Sequence, residues 1–264
     1  MYKILKEDQY GKQLPSRRFW FFSADLVGQV LQLRFKNNLM EHLASLEKRD
    51  LVSGFAERVL KSKEVKVILV SSDFNQAGCE SYTKFFLEKS QHRDMLDIHR
   101  LYNITSKLVL GILGIDRIVI HACQNSVISL FLNISLACDY RIAADNTVFC
   151  NPYIDLGLIP LGGGPYFLSK MLGTGKAWEI LLLQKDIDAQ KALDLGLVDK
   201  IVDAIDLETT SMDIAQKFAQ NHISTVTGLK KLINFSKRDL EQYFELEKQE
   251  ITKILYSNDF SEKC

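Results

Sequence analysis

The chain has 264 residues, with 33 Lys plus Arg balanced by 33 Asp plus Glu, and 47% of its residues are apolar. Low hydrophobicity with high net charge marks disordered chains, and a basic excess marks proteins held on nucleic acid through phosphates. Both classes are excluded, no nucleic-acid partner is expected, and the length suits one large domain or one domain with an appendage.

In chain order, the charged N-terminal stretch MYKILKEDQYGKQLPSRR lacks the apolar core of a secretory signal. Residues 18–24 (RFWFFSA) and 29–35 (QVLQLRF) are short, aromatic and β-branched, and read as strands. Residues 39–61 carry apolar side chains at helical spacing. The near-continuous apolar run 65–71 (VKVILVS) fits a strand buried on both faces. A helical zone follows over 81–111. The chain's most apolar stretch, 108–115, is far too short to cross a bilayer, so no membrane association is expected.

Residues 117–123 (RIVIHAC) form a further buried strand, and 126–136 read as an apolar helix of three turns. Short strands are expected at 139–143 and 147–150. Helices follow at 164–171, 175–183 and 189–195, then a last strand at 198–202. From Leu207 onward the pattern is helical. Strands alternating with helices, then helices alone, indicate an α/β core over 1–204 and a C-terminal helical region over 205–264.

The five cysteines, Cys79, Cys123, Cys138, Cys150 and Cys264, show no CxxC pair and no metal-ligand spacing. An odd count without a secretory signal points to free thiols in a reducing, cytoplasmic setting, with no metal. The spacing GxxxxGK[ST] fails at Gly162-Gly163-Gly164 and at Gly173-Thr174-Gly175-Lys176, and no GxGxxG follows an early strand. His121 lies in an apolar strand and reads as a core histidine. Cys79 lies at a helix start, where a thiolate is favoured, but no paired histidine is evident.

Six passages carry a resemblance. Cys138-Asp139-Tyr140-Arg141-Ile142-Ala143 leads through Phe149 and Pro152 to Leu156-Gly157-Leu158-Ile159-Pro160 and Gly163-Gly164. The helix at Gly175-Lys176-Ala177-Trp178-Glu179-Ile180-Leu181-Leu182 follows, then Ile187-Asp188-Ala189-Gln190-Lys191-Ala192 and Leu195-Gly196-Leu197-Val198. Upstream stand Ala77-Gly78-Cys79-Glu80 and Arg117-Ile118-Val119-Ile120-His121-Ala122. In this order they resemble the enoyl-CoA hydratase/isomerase (crotonase) superfamily from about residue 20 to about residue 235. The resemblance implies the ClpP-like ββα-superhelix core of crotonases, with a C-terminal helical oligomerisation region.

The same resemblance implies an acyl-CoA or acyl-carrier-protein thioester as partner. Coenzyme A is then part of the substrate, and no separate cofactor is needed. Two main-chain N–H groups would form the oxyanion hole, falling on Cys79 and on Leu130. Ala77, Gly78, Glu80, Phe131, Pro152 and Leu161 would line the substrate, although Glu80 in a first helical turn is also favoured simply by the helix dipole. Lys230 and Lys231 would stand near the CoA phosphates, or on a solvated face. The terminal helices resemble the family's trimerisation region, implying a homotrimer or a hexamer.

The departures matter as much. Ser129-Leu130-Phe131 stands where the family has three glycines, and Asn125 where it usually has one. The two catalytic glutamates are replaced by Asn133 and Tyr153. Asn accepts no proton at neutral pH, while Tyr can act as an acid or hydrogen-bond donor. Asp155 is the nearest carboxylate, and in an extended segment it shares a face with Tyr153. Asn133, Tyr153 and Asp155 are therefore the candidate acid–base set. Two functions remain open: an acyl-thioester enzyme with this non-standard set, or a catalytically silent binding or scaffold subunit. A ClpP-like serine peptidase, sharing the core topology, lacks a visible Ser/His/Asp constellation.

Overall fold

The computed structural model describes residues 17–18, 22–35, 62, 64–74, 77–91 and 95–257. The helix expected at 39–61, and Cys264, lie outside them. Strands β1 (Arg17–Arg18), β2 (Phe22–Val27) and β3 (Val30–Phe35) form an antiparallel edge, β2 and β3 joined by a turn at Gly28-Gln29. Beyond β3 the sheet is parallel: β4 (Val67–Phe74), β5 (Ile118–Ile128), β6 (Tyr140–Ala144) and β9 (Lys200–Val202). Val67 and Leu69 are fully buried, as the apolar run of β4 requires.

Helices α1 (Ala77–Gln91) and α2 (Met95–Gly114) divide the helical zone after β4. They pack with α3 (Ser129–Ser135), α5 (Gly164–Leu172), α6 (Thr174–Leu183) and the long α10 (Lys237–Leu255) around one large core that includes Tyr82, Phe86, Leu101, Leu130 and Phe149. On the other side of the sheet, Leu207, Ala215 and Ala219 of α8 (Leu207–Ala219) cover Val30, Leu69, Ile120 and Ile142. The helices beyond residue 204 thus share both hydrophobic layers with the core. Among the described residues no helix is long and apolar enough to cross a membrane.

β5 is the pivot of the fold. Its residues Ile120 to Cys123 pair with β6, and Ser126 to Ile128 pair with β7 (Val148–Cys150), which also pairs with β8 (Asp186–Asp188). The strand changes partner at Asn125, whose φ is +60°. Asn is one of the few residues with a side chain that accept this left-handed conformation, because its amide bonds locally. Here its partner is Asn146, 21 residues on, whose amide donates to Asn125 Oδ1 at 3.1 Å. Asn125 thereby fills a position that otherwise suits glycine.

This partner switch corrects one expectation. The segment 126–136 is not a three-turn helix: β5 continues to Ile128, and α3 holds only Ser129–Ser135. A short apolar run has no periodicity that separates strand from helix. The β-branched pair Val127 and Ile128, given β7 as a ladder partner, takes the strand.

Candidate active site

Two helix starts face the end of β5. Cys79 is the third residue of α1, and Leu130 the second of α3. Main-chain N–H groups in a first turn have no acceptor one turn back within the helix, which makes such groups candidate donors to a ligand oxygen. Cys79 is tied to the strand through its side chain, Sγ lying 3.5 Å from Ser126 Oγ. Ser126 Oγ lies in turn 3.0 Å from Cys150 Sγ. Ser126 pairs with Val148, and Cys150 stands two residues further along β7, so Ser126 and Cys150 are diagonal neighbours on one face of the ladder.

The Cys79 and Cys150 thiols thus flank one hydroxyl, close enough to influence each other's titration. Cys150 is the more acidic partner, brought down to about 7 by the Cys79 hydrogen bond, helped by Ser126. Cys79 is pushed the other way, its pKa raised by the neighbouring Cys150 thiol and by burial. The other two described cysteines, Cys123 and Cys138, are buried, and desolvation pushes each to about 12. His121 is buried within β5 and held neutral, its pKa brought down to about 4 by desolvation and the Arg141 charge.

Asn133 sits on α3, 3% exposed. Its Nδ2 donates to the main-chain oxygen of Leu161 at 2.7 Å. The triplet Gly162-Gly163-Gly164 lies against it. Gly162 and Gly163 have φ of +86° and +81°, and a Cβ on Gly164 would meet the Asn133 amide at 2.7–2.9 Å. The three glycines therefore serve left-handed turns and a close approach to Asn133, not a phosphate. On the far side stands Glu247 of α10, 3% exposed. Its carboxylate accepts from Gly163 N at 3.0 Å, Gly162 N at 3.4 Å and the Tyr243 hydroxyl at 3.1 Å. Burial outweighs these bonds and lifts its pKa to about 7. Sequence reading passed over Glu247 because the glycine N–H groups it accepts from are 84 and 85 positions away.

Tyr153 and Asp155 do not share a face. Residues Tyr153–Leu156 form a helical turn, α4, closed by Gly157 at φ +66°. Tyr153 points inward, 2% exposed, and its hydroxyl donates to Leu181 O at 3.1 Å. Burial raises its pKa. Asp155 points outward and pairs with Lys185 at 2.6 Å, both side chains more than 60% exposed. The i, i+2 argument holds only for extended backbone, and this segment is helical.

Lys230 also departs from expectation. It is buried, and its ammonium donates to Asp139 Oδ2 at 2.6 Å and to Arg117 O at 2.9 Å. Those bonds commit its ammonium to interior partners, whereas Lys231 is exposed. Among the substrate-lining candidates, Leu161 and Phe131 are buried, Pro152 is half-buried and Glu80 exposed. Ala77 and Gly78 lie in the first turn of α1. Leu130 is 1% exposed, and its Cδ1 would lie 3.8 Å from a Cβ on Gly162. Among the described residues no three His, Cys, Asp or Glu side chains converge in a way that would hold a metal.

Comparison with known proteins matches residues 35–263 to a model of the enoyl-CoA hydratase/isomerase family. A trans-2-decenoyl-[acyl-carrier-protein] isomerase of Streptococcus mutans is 24% identical over 170 residues, 64% of this chain and 65% of that protein. A short-chain-enoyl-CoA hydratase of Clostridium acetobutylicum is 34% identical over 120 residues, 46% of each chain. The chain thus spans between about half and two thirds of these curated relatives. The crystal structure of an enoyl-CoA hydratase from Bacillus halodurans superimposes with a TM-score of 0.78 at 17% identity, covering 92% of this chain and 98% of the other. That likeness shows the fold.

Proposed function

The chain belongs to the enoyl-CoA hydratase/isomerase family, and from that premise we propose that it binds an acyl thioester and polarises its carbonyl between the N–H groups of Cys79 and Leu130. The handle is the pantetheine thioester that acyl-CoA and acyl-carrier protein share. The observation that carries the reading is the pair of helix starts at the end of β5: α1 is held there by the Cys79–Ser126 contact, and α3 continues the chain directly from Ile128. Two preorganised main-chain donors stabilise the charge that develops as a thioester enolises. Main-chain donors survive side-chain replacement, so Leu130 and Phe131 in place of glycines leave the donors while narrowing the approach.

The acid–base set sets the limits of the chemistry. Hydration, double-bond isomerisation, decarboxylation and hydrolysis all pass through a polarised thioester, but hydration makes the greatest demand on a carboxylate pair. Asn133 and Tyr153 stand at those two positions, and each is engaged by a main-chain carbonyl. That engagement favours a second reading, a catalytically silent acyl-thioester-binding subunit. Neither reading calls for a resident cofactor. A homotrimer or hexamer fits both, supported by the exposed apolar side chains of Leu229, Leu232 and Ile233 on α9 (Ile223–Ile233) and by Phe235 just beyond it, 88% exposed.

The test is a titration with a conjugated enoyl-CoA, the matching enoyl-pantetheine and CoA alone. Binding with a red-shifted thioester absorption supports carbonyl polarisation. No binding of either thioester sinks the proposal. Binding without turnover of enoyl-, 3-hydroxy- and glutaconyl-type thioesters selects the silent subunit.

A further inference from the structure

The Cys79–Ser126–Cys150 cluster has no counterpart in the acyl-thioester reading. It joins three elements, the first turn of α1, the end of β5 and the end of β7, through contacts of 3.5 Å and 3.0 Å around one hydroxyl. Its two thiols flank the same Ser126 hydroxyl, and both cysteines are half-buried rather than sealed in the core. Cys123 and Cys138, by contrast, are buried. We propose that Cys79 and Cys150 are a redox-active dithiol that a hydroperoxide converts to a reversible disulfide bridging α1 and β7.

The chemistry balances. The Cys150 thiolate attacks the peroxide O–O bond, giving a sulfenic acid and releasing hydroxide or alkoxide. The Cys79 thiol then attacks the sulfenic sulfur, forming the S–S bond and releasing water. The two sulfurs lose two electrons between them, and the peroxide gains them. Two equivalents of an external thiol reverse the change by exchange. Cys150 is assigned the attack because its sulfur lies nearer the Ser126 hydroxyl, 3.0 Å against 3.5 Å for Cys79, and a hydroxyl bonded to a sulfur stabilises the thiolate. Ser126, bonded to both sulfurs, holds them on one face of the β5–β7 ladder. A disulfide needs an S–S length of about 2.05 Å, so closure draws the first turn of α1 toward β7.

That movement has a functional consequence, which rests on the acyl-thioester reading. The turn that would shift carries the Cys79 N–H, the proposed first donor. Oxidation then misplaces one of two oxyanion donors and lowers thioester affinity, by about tenfold or more if one charge-assisted hydrogen bond is lost.

The experiment uses the full reduced chain. It is treated with one equivalent of hydrogen peroxide, the remaining thiols are alkylated, and peptides are mapped without reduction. The expected result is a Cys79–Cys150 peptide pair that dithiothreitol separates. In Cys79→Ser, Cys150 is instead trapped as a sulfenic acid by dimedone; in Cys150→Ser, Cys79 remains alkylatable. If both thiols of the wild type remain alkylatable after peroxide, or if the disulfides found join Cys123, Cys138 or Cys264, the proposal is overturned. The thioester titration on reduced and oxidised chains tests the consequence. Equal affinity of the two forms overturns the gate. If the reduced chain binds no thioester, the acyl-thioester reading falls and the gate with it, while the disulfide stands on the peptide map.

Discussion

Asn133 and Glu247 grip opposite ends of one peptide unit. The Asn133 amide donates to the oxygen of Leu161, and the Glu247 carboxylate accepts from the N–H of Gly162. The glycine loop is thus clamped between α3 and α10. Asn133, aligned by the resemblance with a family glutamate, donates its amide N–H to a main-chain carbonyl in this fold. This makes its substitution a stability experiment before it is a catalytic one.

Replacing Asn133 by Ala leaves the buried Leu161 carbonyl without its donor and should cost about 1–3 kcal/mol. Asn133→Asp should cost more than Asn133→Ala, because a carboxylate brought against that carbonyl oxygen has no proton to donate at neutral pH. Gly164→Ala places a Cβ within 2.9 Å of the same amide and should also destabilise, by about 1–3 kcal/mol. The double variant Asn133→Ala/Gly164→Ala should be more stable than the sum of the two losses predicts, since the smaller side chain makes room. Urea unfolding midpoints measure all four. Additivity would mean that the glycine and Asn133 do not compete for space.

Glu247 makes stability depend on pH in a direction opposite to most carboxylates. Its pKa is raised by burial to about 7, against an ordinary carboxylate value in the unfolded chain. Between those two values the folded state binds more protons than the unfolded state, so stability falls as pH rises and levels off above about 7. The loss is on the order of 3 kcal/mol. The groups facing the carboxylate are the Gly162 and Gly163 N–H groups and the Tyr243 hydroxyl, with Tyr102 nearby; burial raises the pKa of both tyrosines. Glu247→Gln should remove this part of the pH dependence. Unfolding midpoints of the two proteins from pH 5 to pH 8 decide it: parallel curves would refute the assignment.

The parts of the fold legible in sequence are those specified locally. The apolar run of β4, the terminal helices and the glycine triplet ahead of α5 all announce themselves within a few residues. What escaped notice depends on partners far along the chain. Lys230 meets Asp139 across 91 positions, and Glu247 meets the glycine loop across 84 and 85. Residues 126–128 became strand because β7, 22 positions on in register, supplies the ladder. Tyr153 and Asp155 were separated by a single helical turn, a difference of backbone angle to which residue spacing is blind. The resemblance sets Asn133 and Tyr153 against the two family glutamates, but the bonds these side chains make were not legible, because they lie in the distant carbonyls of Leu161 and Leu181.

The Lys230–Asp139 pair predicts asymmetric costs. Lys230 is 5% exposed and Asp139 21%. Asp139→Ala strands a buried ammonium with only the Arg117 carbonyl as partner and also removes the acceptor of the Val119 N–H. It should cost about 3–5 kcal/mol. Lys230→Met should cost less, since the more exposed carboxylate keeps its Val119 bond and reaches water. Lys231→Ala, at an exposed site, should change stability by less than about 0.5 kcal/mol. If Lys230 served a CoA phosphate, Lys230→Met would weaken binding of an acyl-CoA more than of the matching acyl-pantetheine. An unchanged ratio of the two affinities is expected.

Tyr153→Phe and Asp155→Asn separate a structural hydroxyl from a surface charge. The Tyr153 hydroxyl donates to Leu181 O from a buried site, so removing it should cost about 1–2 kcal/mol in unfolding free energy by leaving that carbonyl unpaired. Asp155 forms an exposed pair with Lys185, a class of interaction that contributes between 0 and about 1 kcal/mol, so Asp155→Asn should be close to neutral. Because one proton is committed to a main-chain carbonyl and the other group faces solvent, neither substitution should shift the pH profile of any thioester turnover the protein shows. A profile that loses its acidic or basic limb in Tyr153→Phe would return that hydroxyl to the chemistry. It would also require the Leu181 bond to open when substrate binds, which faster exchange or a changed environment of the Tyr153 ring in the bound state would reveal.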